Sequence, residues 1–457
     1  MNNTEKRKKV AVIGGGVAGL VATRHLADPS WATVPTLFEQ TDNLGGTWVY
    51  TDNTGTDQYG LPVHSSMYKS LRTNLPKEAM MFPDFPHTNK QGVSYLTARE
   101  VLQYLIDYAD HFNIRPYVKF SHHVKSVSPV GENQWRVEVI DLKSGQSHSY
   151  IFDAVIICNG HNSKPRYAKL EGIENFKGRQ VHSHNYREAE PYRNLRTLII
   201  GAGPSGLDMT FEISTVTDTI VLSHHTDYAA KVGFPSKVTL KPDVARILAD
   251  GSVQFKDGTN MEFDVIIHCT GYLYTYPFLS AESGITVQDN YVSPLYNSII
   301  NINRPTMAFL AILKHTPTFY VTDLQVRYFL HTLCNPSLLP SKERMLCELE
   351  CEEQRKADKG VRRCDYHLKG DENAQYINDL CKPTGMAPMP SILLRIYFHG
   401  YERIFSDFKN FRYNFYRIID QDKFSVVDLR EIRAKPVQRI HSNPSCRCGA
   451  LVTHRKL

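Results

Sequence analysis

A glycine pattern that occurs twice sets the tightest limit on how this chain can fold. Gly14-Gly15-Gly16-Val17-Ala18-Gly19 and Gly201-Ala202-Gly203-Pro204-Ser205-Gly206 both read G-x-G-x-x-G. Each follows a short apolar run, 9–13 or 197–200, and each precedes a stretch with helical spacing, 20–27 or 207–215. The first glycine permits a tight turn, the second lets a pyrophosphate approach the backbone, and the third lets the helix pack on the strand. The phosphates then meet the free N–H groups and positive dipole end of the helix. One such match is weak evidence. Two matches, each between a strand and a helix, predict an α/β chain with two Rossmann-like dinucleotide-binding domains.

The end of the second strand in each unit separates the two cofactors. Strand 36–39 ends at Glu39, 25 residues after Gly14. A carboxylate there accepts hydrogen bonds from ribose hydroxyls and repels a 2′-phosphate. The first site is therefore expected to take FAD or NAD. Strand 220–223 ends in Ser223-His224-His225, with no acid in place. A hydroxyl and two imidazoles tolerate a 2′-phosphate, so the second site suits NADPH. A flavin site beside a nicotinamide site implies hydride transfer from NADPH to flavin.

The rest of the chain is read around these units. With 457 residues it is long enough for two or three domains. A net charge of +6, spread along the sequence, does not mark a nucleic-acid protein. The one basic cluster, Lys6-Arg7-Lys8-Lys9, reads as a solvated edge. No apolar run reaches a membrane-spanning length, and residues 1–9 lack the apolar core of a secretory signal. Nine scattered cysteines without a Cys-x-x-Cys read as reduced thiols, so a soluble cytoplasmic protein is expected. Cys446-x-Cys448 near His454 fits no common zinc spacing, and no metal is expected. Residues 97–112 have helical spacing, with Thr97 and Glu100 placed as a capping box. Runs 124–128 and 134–140 alternate as an antiparallel pair, while 153–158 and 264–270 read as strands buried on both faces. The C-terminal third offers a charged helix, 341–359, and an aromatic stretch, 397–416, assigned to core or interface.

Between the glycine motifs, residues 176–186 read Phe-x-Gly-x-x-x-His-x-x-x-Tyr, with Phe176, Gly178, His182 and Tyr186 at the fixed positions. Here the chain resembles the flavin-containing monooxygenases. Gly45-Gly46-Thr47-Trp48 resembles that family's motif after the FAD strand, and 67–74, ending in Thr73-Asn74, resembles its active-site segment. Cys158-Asn159-Gly160-His161 and Cys269-Thr270-Gly271-Tyr272 resemble its two strand-end turns, and 323–327, with Gln325, the segment near the flavin ring. Without a hydrophobic C-terminal anchor, the chain is more similar to the soluble fungal and insect members, among them alkaloid N-oxygenases.

The resemblance implies FAD and NADPH as cofactors, with dioxygen and a small nucleophilic molecule as the other reactants. NADPH would reduce FAD, dioxygen would add at flavin C4a, and a nitrogen or sulfur would attack the distal oxygen of the hydroperoxide. A tertiary amine, an alkaloid or a thioether is the expected substrate. The protein's task is mainly shelter from water. Asn74 is the candidate site residue, because a neutral amide donates and accepts near the flavin edge without adding charge. His182 and Tyr186 are assigned structural or interdomain roles. The expected FAD contacts are Gly14, Gly16, Gly19, Glu39, Gly46, Thr47, Trp48, Thr73 and Gln325. The expected NADPH contacts are Gly201, Gly203, Ser205, Gly206, Asp208, Ser223 and His225.

The chain departs from the family at His225, where an arginine is usual; Lys231 is a substitute cation. Two alternatives stay open: a Baeyer–Villiger oxygenase, disfavoured by Tyr186-Arg187, and a flavin-binding scaffold or oxidase without oxygenation. The order of motifs predicts an FAD domain in two parts, 1–175 and 300–457, with an NADPH domain at 176–299 inserted between them. No nucleic-acid partner or membrane anchor is expected, and a homo-oligomer is compatible with the sequence.

Overall fold

The apolar runs beside the glycine motifs form the centres of two separate sheets. The computed structural model describes residues 7–87 and 92–434. Lys6 of the basic run, and Cys446, Cys448 and His454, lie outside the described residues. The first sheet has seven strands, in the order Leu295–Tyr296, Ile300–Asn301, Met307–Phe309, Ala154–Ile157, Lys8–Ile13, Thr33–Phe38 and Val118–Lys119. Its last five are parallel, with Val10 opposite Pro35 on one side and Ala154 on the other. The second sheet has five parallel strands, in the order Val238–Lys241, Ile220–Ser223, Thr197–Ile200, Val265–His268 and Arg179–His182. Ala154–Ile157, Thr197–Ile200 and Val265–His268 are buried along their whole length. Burial on both faces is why they read as unbroken apolar runs.

The first sheet draws its strands from both sides of the second in sequence. The return begins at Leu295–Tyr296, ahead of residue 300. At the other crossing, Ala168, Leu170 and Ile173 already pack against the second sheet's apolar cluster. Lys164–Pro165 pairs with Tyr272–Leu273 there. The second sheet's apolar cluster thus takes in residues that precede the fingerprint.

The helices after the glycine turns run Val17–Leu26 and Pro204–Ile213. Both start inside the motif, since the third glycine lies in the first helical turn and has no side chain to show in an apolar pattern. The expected helix near residue 100 is Ala98–His111, and both halves of the Thr97–Glu100 capping box are made. The expected antiparallel pair is His122–Val130 with Gln134–Asp141. A third strand, Ser147–Phe152, completes it, hidden from sequence by its serines and histidine.

Toward the C-terminus, Thr318–Cys334 packs on Val17–Leu26. The charged helix is Lys342–Asp358, capped by the Ser341 hydroxyl. The aromatic stretch resolves into helix Ser391–Ser406 and a hairpin, Asn414–Ile418 with Phe424–Asp428. Tyr397, Phe411 and Tyr416 are fully buried, so this stretch is core. Gly400 lets the helix sit on the loop after Asn74: a Cβ there would lie 2.7 Å from Pro76 Cδ. Among the described residues no helix is long and apolar enough to cross a membrane.

Candidate active site: two nucleotide cradles and the segment between them

Both glycine turns have the same geometry, which is what binding a dinucleotide at each requires. Gly14 and Gly201 each sit at φ +104, a conformation that strains any side chain. A Cβ on Gly19 would lie 1.8 Å from the Gly14 carbonyl oxygen, and one on Gly206 would lie 1.9 Å from that of Gly201. The third glycine in each turn is thus fixed by contact with the first. Gly203 faces open space, and Ser205 is exposed in the first helical turn beside it. Backbone donors at each helix start are thereby left for an anion.

Around the first turn the sequence builds a closed polar cradle. The Gly15 N–H donates to Glu39 Oε2 at 2.7 Å, and Thr41 N–H donates to Oε1 at 2.8 Å. Glu39 is buried, just past the end of its strand, where a ribose would meet it. Gly45 N–H donates to the Gly15 carbonyl at 2.9 Å, laying the Gly45–Trp48 loop on the turn. Gly46 comes so close that a Cβ on it would lie 2.8 Å from Gly16 Cα. The Thr47 hydroxyl is buried and has no hydrogen-bond partner among the described residues. A buried, unsatisfied hydroxyl facing a glycine cradle fits a bound polar group such as a flavin nucleotide. Trp48 is half-buried and packs on the same core.

Asn74 is half-buried, and its amide finds no hydrogen-bond partner among the described residues. The adjacent Thr73 is committed to the scaffold: its hydroxyl accepts the Leu96 N–H at 3.0 Å. Gln325 is buried, accepting from the Ala311 N–H at 3.3 Å and donating to the Tyr376 hydroxyl at 2.8 Å. Thr73 and Gln325 are thus both committed to protein partners, whereas the Asn74 amide, next to Thr73, has none among the described residues.

At the second site three expected contacts have other partners. The Ser223 hydroxyl is buried and donates to the Pro242 carbonyl at 2.9 Å. The Asp208 carboxylate takes Arg412 Nη1 and Nη2 at 2.6 and 2.8 Å and the Tyr68 hydroxyl at 2.5 Å. His225 is exposed, with Nδ1 3.1 Å from Asp243 Oδ1. The strand end itself carries no acid, but one approaches it in space. Asp243 arrives from the turn after a neighbouring strand, too far along the chain to be seen at the strand end. Lys256 Nζ, 3.0 Å from Asp243, partly offsets its charge. Lys241 stands opposite Ser223 in register and is a cation that sequence reading missed.

The fingerprint residues join the layers. His182 is fully buried, with Nδ1 accepting the His184 N–H at 3.1 Å and Nε2 donating to the Gly271 carbonyl at 3.0 Å. Burial pushes its pKa down to about 4, so the ring is neutral and holds this tautomer. The Tyr186 hydroxyl donates to Glu212 Oε2 at 2.6 Å. Arg187, unremarked except as a sign against Baeyer–Villiger enzymes, is buried and donates to the carbonyls of Thr51, Asn53, Ser65, His184 and Tyr186. Elsewhere His25, Asp84 and Asp323 converge, but as ion pairs: Arg24 lies 2.7 Å from Asp84 and Arg327 2.7 Å from Asp323.

Comparison with known proteins agrees with this geometry along the chain. The flavin-binding monooxygenase-like family model matches residues 7–235 and 230–415. The chain belongs to that family. As a flavin-binding monooxygenase it uses FAD, NADPH and dioxygen to oxidise a small molecule. It is 33% identical to senecionine N-oxygenase of Tyria jacobaeae over 93% of each chain. It is 35% identical to flavin-containing monooxygenase FMO GS-OX-like 1 of Arabidopsis thaliana over 83% of each. Among solved structures it matches S-allyl-L-cysteine S-oxygenase from Allium sativum at 31% identity and a TM-score of 0.82. That match covers 89% of this chain and 94% of the other. The two-domain dinucleotide-binding fold of this monooxygenase is shared with it.

Proposed function

We propose that this monooxygenase transfers one oxygen atom to a soft nitrogen or sulfur of a small molecule, a tertiary amine being the first choice and a thioether the second. The observation that carries the reading is the pair of matched glycine cradles joined by a segment that ends in Asn74, a neutral amide with no hydrogen-bond partner among the described residues. The similarity to an N-oxygenase over nearly the whole chain favours nitrogen, and that to an S-oxygenase structure keeps sulfur in view.

The residues divide the work. Gly14, Gly16 and Gly19 bring backbone to the FAD pyrophosphate, Glu39 accepts the ribose hydroxyls, and the Gly46-Thr47-Trp48 loop closes over it. Gly201, Gly203, Ser205 and Gly206 hold the NADPH pyrophosphate, with His225 and Lys231 as the cations offered to the 2′-phosphate, Lys241 being paired with Asp257 at 3.0 Å. When bound, the flavin supplies the redox chemistry, accepting hydride and activating dioxygen. The chain's own residues orient, exclude water and withhold protons. Asn74 does this without adding a charge where oxygen is activated. Thr73, next to it in the chain, is anchored to the Leu96 N–H. The domain boundaries that go with this reading are an FAD part before about residue 160 and after about 295, with the NADPH part between.

The test is NADPH consumption by the purified yellow protein across tertiary amines, thioethers and ketones, with products identified. N-oxides or S-oxides that match NADPH consumption support the reading. Esters or lactones from ketones alone would replace it with a Baeyer–Villiger activity.

A further inference from the structure

Three segments distant in sequence meet on one face of the helix that follows the second glycine turn. That helix, Pro204–Ile213, presents Asp208 and Glu212 one turn apart. Glu212 accepts the hydroxyls of Tyr186 and Ser70. Asp208 accepts the hydroxyl of Tyr68 and both terminal nitrogens of Arg412. Arg412 then reaches the segment that carries Asn74: its Nε donates to the Thr73 carbonyl at 3.1 Å and its Nη2 reaches the Arg72 carbonyl at 3.4 Å. The Arg412–Asp208 pair is largely buried, with 17% and 14% of the side chains exposed. Burial opposes the charge on Arg412, and Asp208 more than compensates. The Tyr68 and Tyr186 rings meet edge to face at 5.6 Å and complete the contact.

We propose that Asp208, Glu212 and Arg412 are positioning residues. They form a clamp that fixes the NADPH-side helix against residues 68–74, and so fixes NADPH against the flavin and Asn74. The inference rests on the assignment of the two cradles to FAD and NADPH. Its physical basis is that a bidentate guanidinium–carboxylate pair specifies orientation as well as distance. The Thr73 carbonyl held by Arg412 belongs to the peptide bond that leads into Asn74, so a shift of the helix is passed directly to the site amide. Hydride transfer tolerates little such error, because reacting atoms must approach within about 3.5 Å.

The experiment compares Arg412→Gln, Arg412→Lys and Tyr68→Phe with the parent holoenzyme. Flavin reduction by NADPH is followed anaerobically by stopped flow, hydrogen peroxide per NADPH is measured in air, and amide exchange is read over residues 67–74. The limiting reduction rate should fall on the order of tenfold to a hundredfold in Arg412→Gln, less in Arg412→Lys and least in Tyr68→Phe. The Kd for NADPH should change little, peroxide should rise in the same order, and exchange at 67–74 should quicken. Flavin content should stay near that of the parent. A clamp that only stabilises the fold would lower Tm and leave the limiting rate and peroxide fraction unchanged, which overturns the proposal. If Arg412→Gln fails to fold, Tyr68→Phe, which removes one hydroxyl, decides by the same readings. A parent flavin that NADPH does not reduce would instead overturn the cofactor assignment, and this inference with it.

Discussion

Asn74 and His225 show how much a single side chain depends on what its neighbours leave free. Thr73 spends its hydroxyl on Leu96, while the Asn74 amide has no hydrogen-bond partner among the described residues. Asn74→Ala should therefore leave flavin content and NADPH reduction near the parent values. Oxygenated product per NADPH should fall by about tenfold or more, and hydrogen peroxide should rise to match. Asn74→Asp should do at least as much harm, since it adds a charge. Product, peroxide and NADPH measured in one assay check this, and parent-like coupling in both variants would remove Asn74 from the site. At His225 an added arginine would meet Asp243 before it met a phosphate. His225→Arg alone should raise the NADPH-over-NADH preference only about fivefold. The gain should grow when Asp243→Asn is added. The ratio of kcat/KM values for the two nucleotides reads this directly, and no change in the double variant would show that residue 225 does not face the 2′-phosphate.

At the scale of elements, the glycine turns and the loop after Asn74 make opposite demands. The turns have no room: Gly19→Ala should cost the flavin, and Gly206→Ala should cost reduction by NADPH while the protein stays yellow, because each Cβ would strike a carbonyl within its own turn. Flavin absorbance per protein and anaerobic reduction separate the two. The loop instead buries an acid. Glu78 accepts from the Ser94 hydroxyl at 3.0 Å, while its Oε2 is buried without a partner among the described residues. Burial pushes its pKa up to about 7, against the pull of Lys77. A raised carboxyl pKa means that the folded state holds the proton more tightly than the unfolded chain. Its contribution is present below about pH 4.5 and is lost as pH rises through about 7. Glu78→Gln should remove up to about 3 kcal/mol of this pH-dependent loss. Denaturant melts at pH 5 and pH 8 check it: the parent should lose more stability between them than the variant, and equal losses would contradict the burial argument.

These same elements show what the sequence made legible. Strands 197–200 and 220–223 and the Thr97 cap are local patterns, and local patterns are readable to within a residue or two. Ser147–Phe152 was not, because its polar face looks like loop. Asp243 beside His225 and Arg412 on Asp208 were not, because each contact joins positions that only the tertiary fold brings together. The place of Asp208 just after the second glycine turn points to nucleotide in the sequence, while in the structure its carboxylate pairs with Arg412.

At the scale of the whole molecule, two sheets, each with one nucleotide cradle, are held together so that hydride arrives at the flavin and oxygen leaves on a substrate atom. Both sheets are parallel at their centres, with strands buried on both faces, and alignment of the two cradles falls to the segments between them. Asn74, Tyr68, Tyr186 and Arg412 all lie on those segments. The central claim is monooxygenation, and the most direct measurement supplies heavy-isotope dioxygen to the enzyme with NADPH and a tertiary amine, followed by mass spectrometry of the product. The account predicts one labelled oxygen per molecule of N-oxide, in proportion to NADPH consumed, and none when the label is in water instead. NADPH consumption with peroxide as the sole oxygen product for every amine and thioether, or label entering from water, would contradict it.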